Sequence, residues 1–250
     1  MFKAKSLTGI MTKMHQCKYR FGLTGTLDGT QTHQLVLEGL FGAVEKVVTT
    51  KELIDKNTLA SLKIKCIILK HPNIREKMDY AEELEYIVTN KQRLDFVCNL
   101  LRHLRGNTLC LFQLVEKHGK ILNDKMKEEE NVYFVYGGTD TSAREKIRGL
   151  VETHTNSTTI ASYGTFSTGI NIRNINNIVL ASPSKSKIRV LQSIGRGLRT
   201  SSSKDSVLIY DIADDISYNE RRNYTLNHFT ERLNIYNEEQ FDYDISKVKL

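Results

Sequence analysis

The chain has 250 residues, 40 % of them hydrophobic, and a net charge of +7. That is enough for one large α/β domain with an appendage, and too much apolar sequence for a disordered chain. No run of about 18 apolar residues is present and the first residues lack a secretory apolar segment, so a cytoplasmic protein that neither spans nor enters a membrane is expected. Four scattered cysteines, Cys17, Cys66, Cys98 and Cys110, form no CxxC pair and no zinc-type cluster; buried reduced thiols are expected.

The elements follow in chain order. Residues 19–25, YRFGLTG, suggest one strand within the first 60 residues, which otherwise read as connecting sequence; one strand and two helical stretches do not make a core. From residue 60 onward strands and helices alternate. LKIKCIILK (62–70) is β-branched and reads as a strand. Residues 75–104 have helical apolar spacing with a break near Thr89-Asn90. NTLCLFQL (107–114) reads as a buried strand, 115–127 as a helix and NVYFVYG (131–137) as a strand. Residues 140–154 open with cap-type residues and continue as a helix. TTIASYG (158–164), NIVLASP (177–183) and DSVLIYDIAD (205–214) are strands, with a helix over 186–199 between the last two. Residues 217–237 read as a final amphipathic helix. This alternation predicts βαβ units and a parallel sheet covered on both faces, with ligands at the carboxyl ends of the strands.

Charge is distributed unevenly. From Thr153 to Lys204 there is no Asp or Glu, while Arg173, Lys185, Lys187, Arg189, Arg196, Arg199 and Lys204 fall within the segment. Such a stretch suits a polyanion. Within it, Gln192-Ser-Ile-Gly-Arg196-Gly-Leu-Arg199 puts two guanidiniums three residues apart, on one face of a helix. Each is a fork of donors matched to phosphate oxygens, though the same run also suits a helix carboxyl end. Upstream, IASYGTFSTGIN gathers Ser162, Thr165, Ser167 and Thr168 around two glycines, and Tyr136-Gly137-Gly138-Thr139 precedes a helix that carries Arg144. Hydroxyls and bare backbone N–H groups of this kind hold phosphates without reading bases. Alone, each is also an ordinary βα turn.

Taken in order, Thr24-Gly25-Thr26, the strand TLCLFQL, YGGTDTSAREK, TTIASYGTFSTGINI and QSIGRGLR resemble the later motifs of the superfamily-2 helicases, III to VI. The resemblance spans about residues 19–215 and implies a RecA-like fold, a parallel sheet flanked by helices, as the second lobe of a two-lobe ATP-driven motor. It implies that Arg196 and Arg199, with Gln192 beside them, meet the γ-phosphate, and that Gly169 and Asn171 lie on the nucleotide side. Many members carry Asp where this chain has Asn171; remodelling-type members carry Asn. Gly137, Gly138, Thr139, Ser162, Thr165 and Thr168 would hold the nucleic-acid backbone, and Thr24 and Thr26 would couple the two sites.

No GxxxxGK[ST] run occurs; His118-Gly119-Lys120 is the nearest approach. No DExx run follows a strand, since Asp214-Asp215 lies beyond the arginines. The phosphate cradle and the Mg²⁺ ligands of the ATP site are therefore expected from a first RecA-like lobe of the same protein. The expected layout is a first-lobe remnant and linker over 1–55, the second lobe over 56–216 and a helical extension over 217–250. The expected substrates are DNA forks and junctions, with RNA–DNA hybrids as R-loops. A non-catalytic nucleic-acid-binding lobe and a double-strand translocase that does not separate strands are the alternatives.

Overall fold

The computed structural model describes residues 5–23, 31–45, 48–72, 74, 76–168, 172, 174–184, 194–195, 198 and 206–250. The chain forms two compact units, Met1–Thr49 and Thr50–Leu250. The first holds helices α1 (Lys5–Lys13) and α2 (Gln31–Phe41). The strand expected from Tyr19 does not form over the described residues 19–23, which run without a ladder partner. Its apolar side chains stay in solvent, with Phe21 84 % and Leu23 99 % exposed. A lone strand cannot satisfy its backbone groups or bury a face, so the sequence pattern alone is not enough.

The second unit starts with α3 (Thr50–Asp55) and builds a seven-stranded sheet. Its strands are β1 (Ser61–Lys70), β2 (Thr108–Phe112), β3 (Val132–Val135), β4 (Thr158–Ser162), β5 (Asn177–Leu180), β6 (Ser206–Asp215) and β7 (Tyr243–Lys249). The order across the sheet is β3-β4-β2-β5-β6-β1-β7, and every neighbouring pair is parallel. Between them run α4 (Tyr80–Thr89), α5 (Lys91–His103), a π-helical turn (Val115–Gly119), α6 (Lys120–Met126), α7 (Thr141–Thr153), α8 (Tyr163–Thr168) and α9 (Tyr224–Glu238).

Local chemistry sets the helix ends. Asp79 and Glu82 form a reciprocal cap at the start of α4: Asp79 Oδ1 accepts from Ala81 and Glu82 N–H, and Glu82 Oε2 accepts from Asp79 N–H at 2.8 Å. The break expected near Thr89-Asn90 is where α4 stops and Asn90 caps α5, accepting from Arg93 N–H at 2.9 Å. Asp140 caps α7 through Ser142 N–H.

Strand side chains alternate between two cores. Ile64, Cys66, Ile68, Leu109, Leu111, Ile178, Leu180 and Ile209 face one side, with Val151 of α7 and Leu226, Phe229 and Tyr236 of α9. Ile67, Leu69, Cys110, Phe112, Ile160, Val179 and Ile212 face the other, with Leu94, Val97 and Leu101 of α5 and Leu122 and Met126 of α6. The period of two splits these apolar runs between faces, as a doubly covered parallel sheet requires. Cys66, Cys98 and Cys110 are buried, as expected; Cys17 is exposed. Among the described residues no helix is long and apolar enough to cross a membrane.

One element differs at the carboxyl end. Residues 217–250 hold one helix and then β7, which joins the sheet beside β1, instead of a purely helical extension. The strand YDISKVK is mostly exposed, so it lacks the apolar run that marked the buried strands. Its charged residues suit an edge.

Candidate functional site

Because all seven strands are parallel, the carboxyl ends of β2, β3, β4, β5 and β6 share one edge of the sheet. The candidate loops leave from that edge.

After β3, the turn through Gly137 and Gly138 is shaped by its neighbours. Thr139 N–H donates to Tyr136 O at 2.9 Å, and Tyr136 N–H donates to Thr139 Oγ1 at 3.0 Å. Arg144 Nε donates to Thr139 O at 2.8 Å and its Nη2 to Gly137 O at 2.9 Å. Arg144 is thus spent on the carbonyls of the turn and organises it from behind. The N–H groups of Gly137 and Gly138 have no partner among the described residues. A Cβ on Gly138 would meet the Tyr136 ring at 2.6 Å, while Gly137 faces open space. The result is an exposed pair of backbone donors one turn before α7, the arrangement that accepts a phosphate oxygen.

After β4, Ser162 and Thr165 come together. Their hydroxyls are 2.8 Å apart, and Thr165 N–H donates to Ser162 Oγ at 3.3 Å. They are 8 % and 3 % exposed, so they cap the first turn of α8 and do not stand out into solvent. The backbone of Thr168 ends α8; its side chain lies outside the described residues, as do Gly169 and Asn171. Gln192, Arg196, Arg199, Thr24 and Thr26 lie outside them too. Within the run that holds Gln192, Arg196 and Arg199, Ile194 and Leu198 are buried in the core of the sheet, and Ala60 N–H donates to Leu198 O at 2.9 Å.

Sequence reasoning missed a set of buried polar groups behind this edge. Asp214, at the end of β6, accepts from Arg93 Nε at 2.7 Å and pairs with His71 Nε2 at 2.9 Å. Burial opposes its ionisation, but the Arg93 guanidinium and His71 hold its carboxyl below the usual range. Asp211, in the middle of β6, takes Arg232 Nε and Nη2 and the Tyr236 hydroxyl, at 2.7 to 3.0 Å. Arg232 remains charged there despite burial, because Asp211 faces it. Glu83 binds the start of α9, accepting from Tyr224 N–H at 2.9 Å and Asn223 Nδ2 at 2.8 Å. The advance signal was the pair of acids, Asp211 and Asp214, inside the otherwise apolar run LIYDIAD.

His118 is buried in the π-helical turn, with Nδ1 2.9 Å from Ser182 Oγ. Burial first, and then the nearby Arg93 charge, push its pKa down to about 3, so it is neutral. Gly119 follows it against the Phe112 ring, where any Cβ would collide. The glycine of His118-Gly119-Lys120 is therefore a packing glycine, not part of a phosphate cradle.

Among the described residues no group of three or more His, Cys, Asp or Glu side chains is placed to hold a metal ion, and the Asp214 carboxylate is committed to Arg93 and His71.

Residues 92–201 match the family model of the helicase conserved C-terminal domain. Over 98 % of its length the chain is 34 % identical to the ATP-dependent DNA helicase uvsW of Enterobacteria phage T4, covering 52 % of that protein. The crystal structure of T4 UvsW superposes with a TM-score of 0.65 over 98 % of this chain and 51 % of that one. A fragment of a putative HsdR subunit of a type I restriction enzyme from Vibrio vulnificus YJ016 gives 0.64 at 16 % identity, over 90 % of this chain and 43 % of that one, a likeness of fold. The chain spans about half the length of the UvsW protein it matches.

Proposed function

The chain belongs to the superfamily-2 helicases as a C-terminal helicase lobe, and from that premise we propose that it is the second motor lobe of an ATP-dependent DNA helicase acting on branched DNA. Forks, four-way junctions and R-loops are its substrates, in recombination, repair and replication, in the host cytoplasm where the gene is a phage's.

In this reading Arg196 and Arg199 approach the γ-phosphate of ATP from the second lobe, with Gln192 beside them. Arginines so placed stabilise charge that develops as the phosphoryl group transfers, an effect on the order of 10³–10⁵ in rate. Gly169 and Asn171 border the nucleotide. A first RecA-like lobe supplies the phosphate cradle and the Mg²⁺ ligands, and Thr24 and Thr26 couple the two sites. The exposed apolar side chains of Phe21 and Leu23 support a first-lobe surface that covers them.

Gly137, Gly138 and Thr139 hold the nucleic-acid backbone, joined by Thr168. Ser162 and Thr165 act one step back, by fixing the first turn of α8. Backbone amides and hydroxyls carry no base information, so selection follows the shape of the DNA. The observation that supports this reading is the pair of N–H groups at Gly137 and Gly138, exposed residues whose N–H groups have no partner among the described residues, at the sheet edge where β4 and β5 also end.

Asn171 favours a second reading, a double-strand translocase that moves on DNA without separating it. One strand-displacement assay decides between them: the full-length protein with ATP unwinds a labelled fork in the first reading. ATP turnover without displacement selects the second. No turnover with any DNA refutes both.

A further inference from the structure

A cleft of about 170 Å³ opens where the chain leaves β1 and β6. Lys77, Arg221, Arg222, Tyr218, Tyr224 and Glu83 are among the residues that line it. Residues 217–223, which sequence reasoning placed in the final helix, turn back on themselves here. Tyr218 N–H donates to Arg221 O at 3.1 Å and Arg221 N–H donates to Tyr218 O at 3.0 Å. Between them Asn219 and Glu220 have φ of 47° and 63°, in the left-handed region. Asparagine tolerates that backbone; glutamate adopts it rarely, and the paired bonds on either side hold it there. Arg221 and Arg222 are thereby presented, exposed, at the end of a tight turn.

Charge in the cleft is one-sided. Its one carboxylate, Glu83, is buried and fully engaged: it accepts from Asn223 Nδ2, from the N–H groups of Tyr224 and Thr225, and from the Thr225 hydroxyl. The amino end of α9 is thus already occupied, and a ligand in the cleft meets the cations instead. Asp79, close in sequence to Lys77, is committed to the cap of α4. Lys77, Arg221 and Arg222 make no ion pair or side-chain hydrogen bond among the described residues. Elsewhere in this unit Arg93, Arg102, Arg148, Arg232, Lys117 and Lys125 each meet a carboxylate. Beside the uncommitted cations stands an aromatic surface. Tyr224 is 43 % and Tyr80 41 % exposed, with ring centroids 6.3 Å apart and planes at 83°. Cations that grip phosphates next to exposed rings that stack on bases are what an unpaired strand requires.

We propose that this cleft is a further binding site for single-stranded nucleic acid, with phosphates held by Lys77, Arg221 and Arg222 and a base stacked on Tyr224. Its place in the fold supports this. β1 and β6 end at the same edge as β3, and β6 lies four strands from β3, about 19 Å at roughly 4.8 Å per strand. A strand seated on the β3 turn reaches the cleft in about six nucleotides, at roughly 3.4 Å each. The proposal rests on the reading of Gly137 and Gly138 given above, and carries the strand from that turn across the edge of the sheet.

The test is the double substitution Arg221→Ala, Arg222→Ala in the full-length protein, with Tyr224→Ala and Tyr224→Phe beside it. The probe is a labelled oligothymidylate of about 12 nucleotides, twice the expected span, and binding is read by fluorescence anisotropy over a series of salt concentrations. All three side chains are exposed, so melting temperatures are expected to stay within about 2 °C of wild type. The arginine variant is expected to bind about tenfold more weakly, with a log–log salt slope shallower by about 1.4, or roughly 0.7 per lost phosphate contact. Tyr224→Ala is expected to lose about fivefold or more, and Tyr224→Phe to bind like wild type. With iododeoxyuridine in the strand, irradiation is expected to crosslink the peptide that carries Tyr224. Wild-type affinity and salt slope in the arginine variant overturn the proposal and leave the reading of the β3 turn standing. Oligothymidylate that fails to bind the unsubstituted protein removes both. Tyr224→Phe as weak as Tyr224→Ala, or no crosslink at Tyr224, also overturns the proposal, since the ring then carries no base.

Discussion

Arg232→Met tests how the sheet edge is held. Arg232 is buried with Asp211 and makes three contacts of 2.7 to 3.0 Å to that carboxylate, plus one of 2.9 Å to Ser184 O. Methionine roughly matches the aliphatic stem and removes all four. Among the described residues Asp211 then keeps only the Tyr236 hydroxyl at 2.8 Å. Leaving one partner of a buried pair uncompensated costs about 3–5 kcal/mol. For a unit of this size, 1 kcal/mol moves the melting temperature by about 2–4 °C. A fall of roughly 6–20 °C is therefore expected by circular dichroism at pH 7. Adding Asp211→Asn to Arg232→Met recovers part of the loss, since an unpaired amide is cheaper to bury than an unpaired carboxylate. A fall of less than about 3 °C for Arg232→Met refutes the argument, because the carboxylate then has a compensation the geometry does not contain.

Two further outcomes follow from buried groups near the edge. His118 is held neutral with its pKa lowered from 6.5 to about 3, so the unfolded chain binds the extra proton between those values and stability falls as pH drops below 6.5. At pH 5 this one group costs about 2 kcal/mol relative to neutral pH, and His118→Asn flattens the melting temperature between pH 5 and 6.5; an unchanged slope contradicts the assignment. Gly119→Ala drives a methyl into the Phe112 ring and is expected to cost about 1–3 kcal/mol in thermal unfolding, with nucleotide affinity of the full-length protein unchanged. Weakened nucleotide binding without destabilisation would instead make Gly119 part of a phosphate cradle.

The order and boundaries of the βα units were legible because two local signals agree there. Apolar runs such as TLCLF bury every side chain, and Asp79, Asn90 and Asp140 stand where helices begin. The sequence underspecified β7 and residues 19–23 for opposite reasons. YDISKVK is polar enough to pass for an extension, and only its pairing with β1 makes it a strand. YRFGLTG has the composition of a strand, yet residues 19–23 find no partner. At the candidate site, the glycines of the β3 turn were recognisable from their exposed pattern. The inward roles of Arg144, Ser162 and Thr165 were not, since guanidinium and hydroxyl groups read alike whether they face a phosphate or a carbonyl of their own loop.

Arg199→Ala in the full-length protein tests whether this lobe completes an ATP site with arginines. DNA-stimulated ATP turnover is expected to fall by about 10³ or more, while DNA affinity stays within about twofold of wild type. Turnover within tenfold of wild type, with the protein folded and bound to DNA, would contradict it.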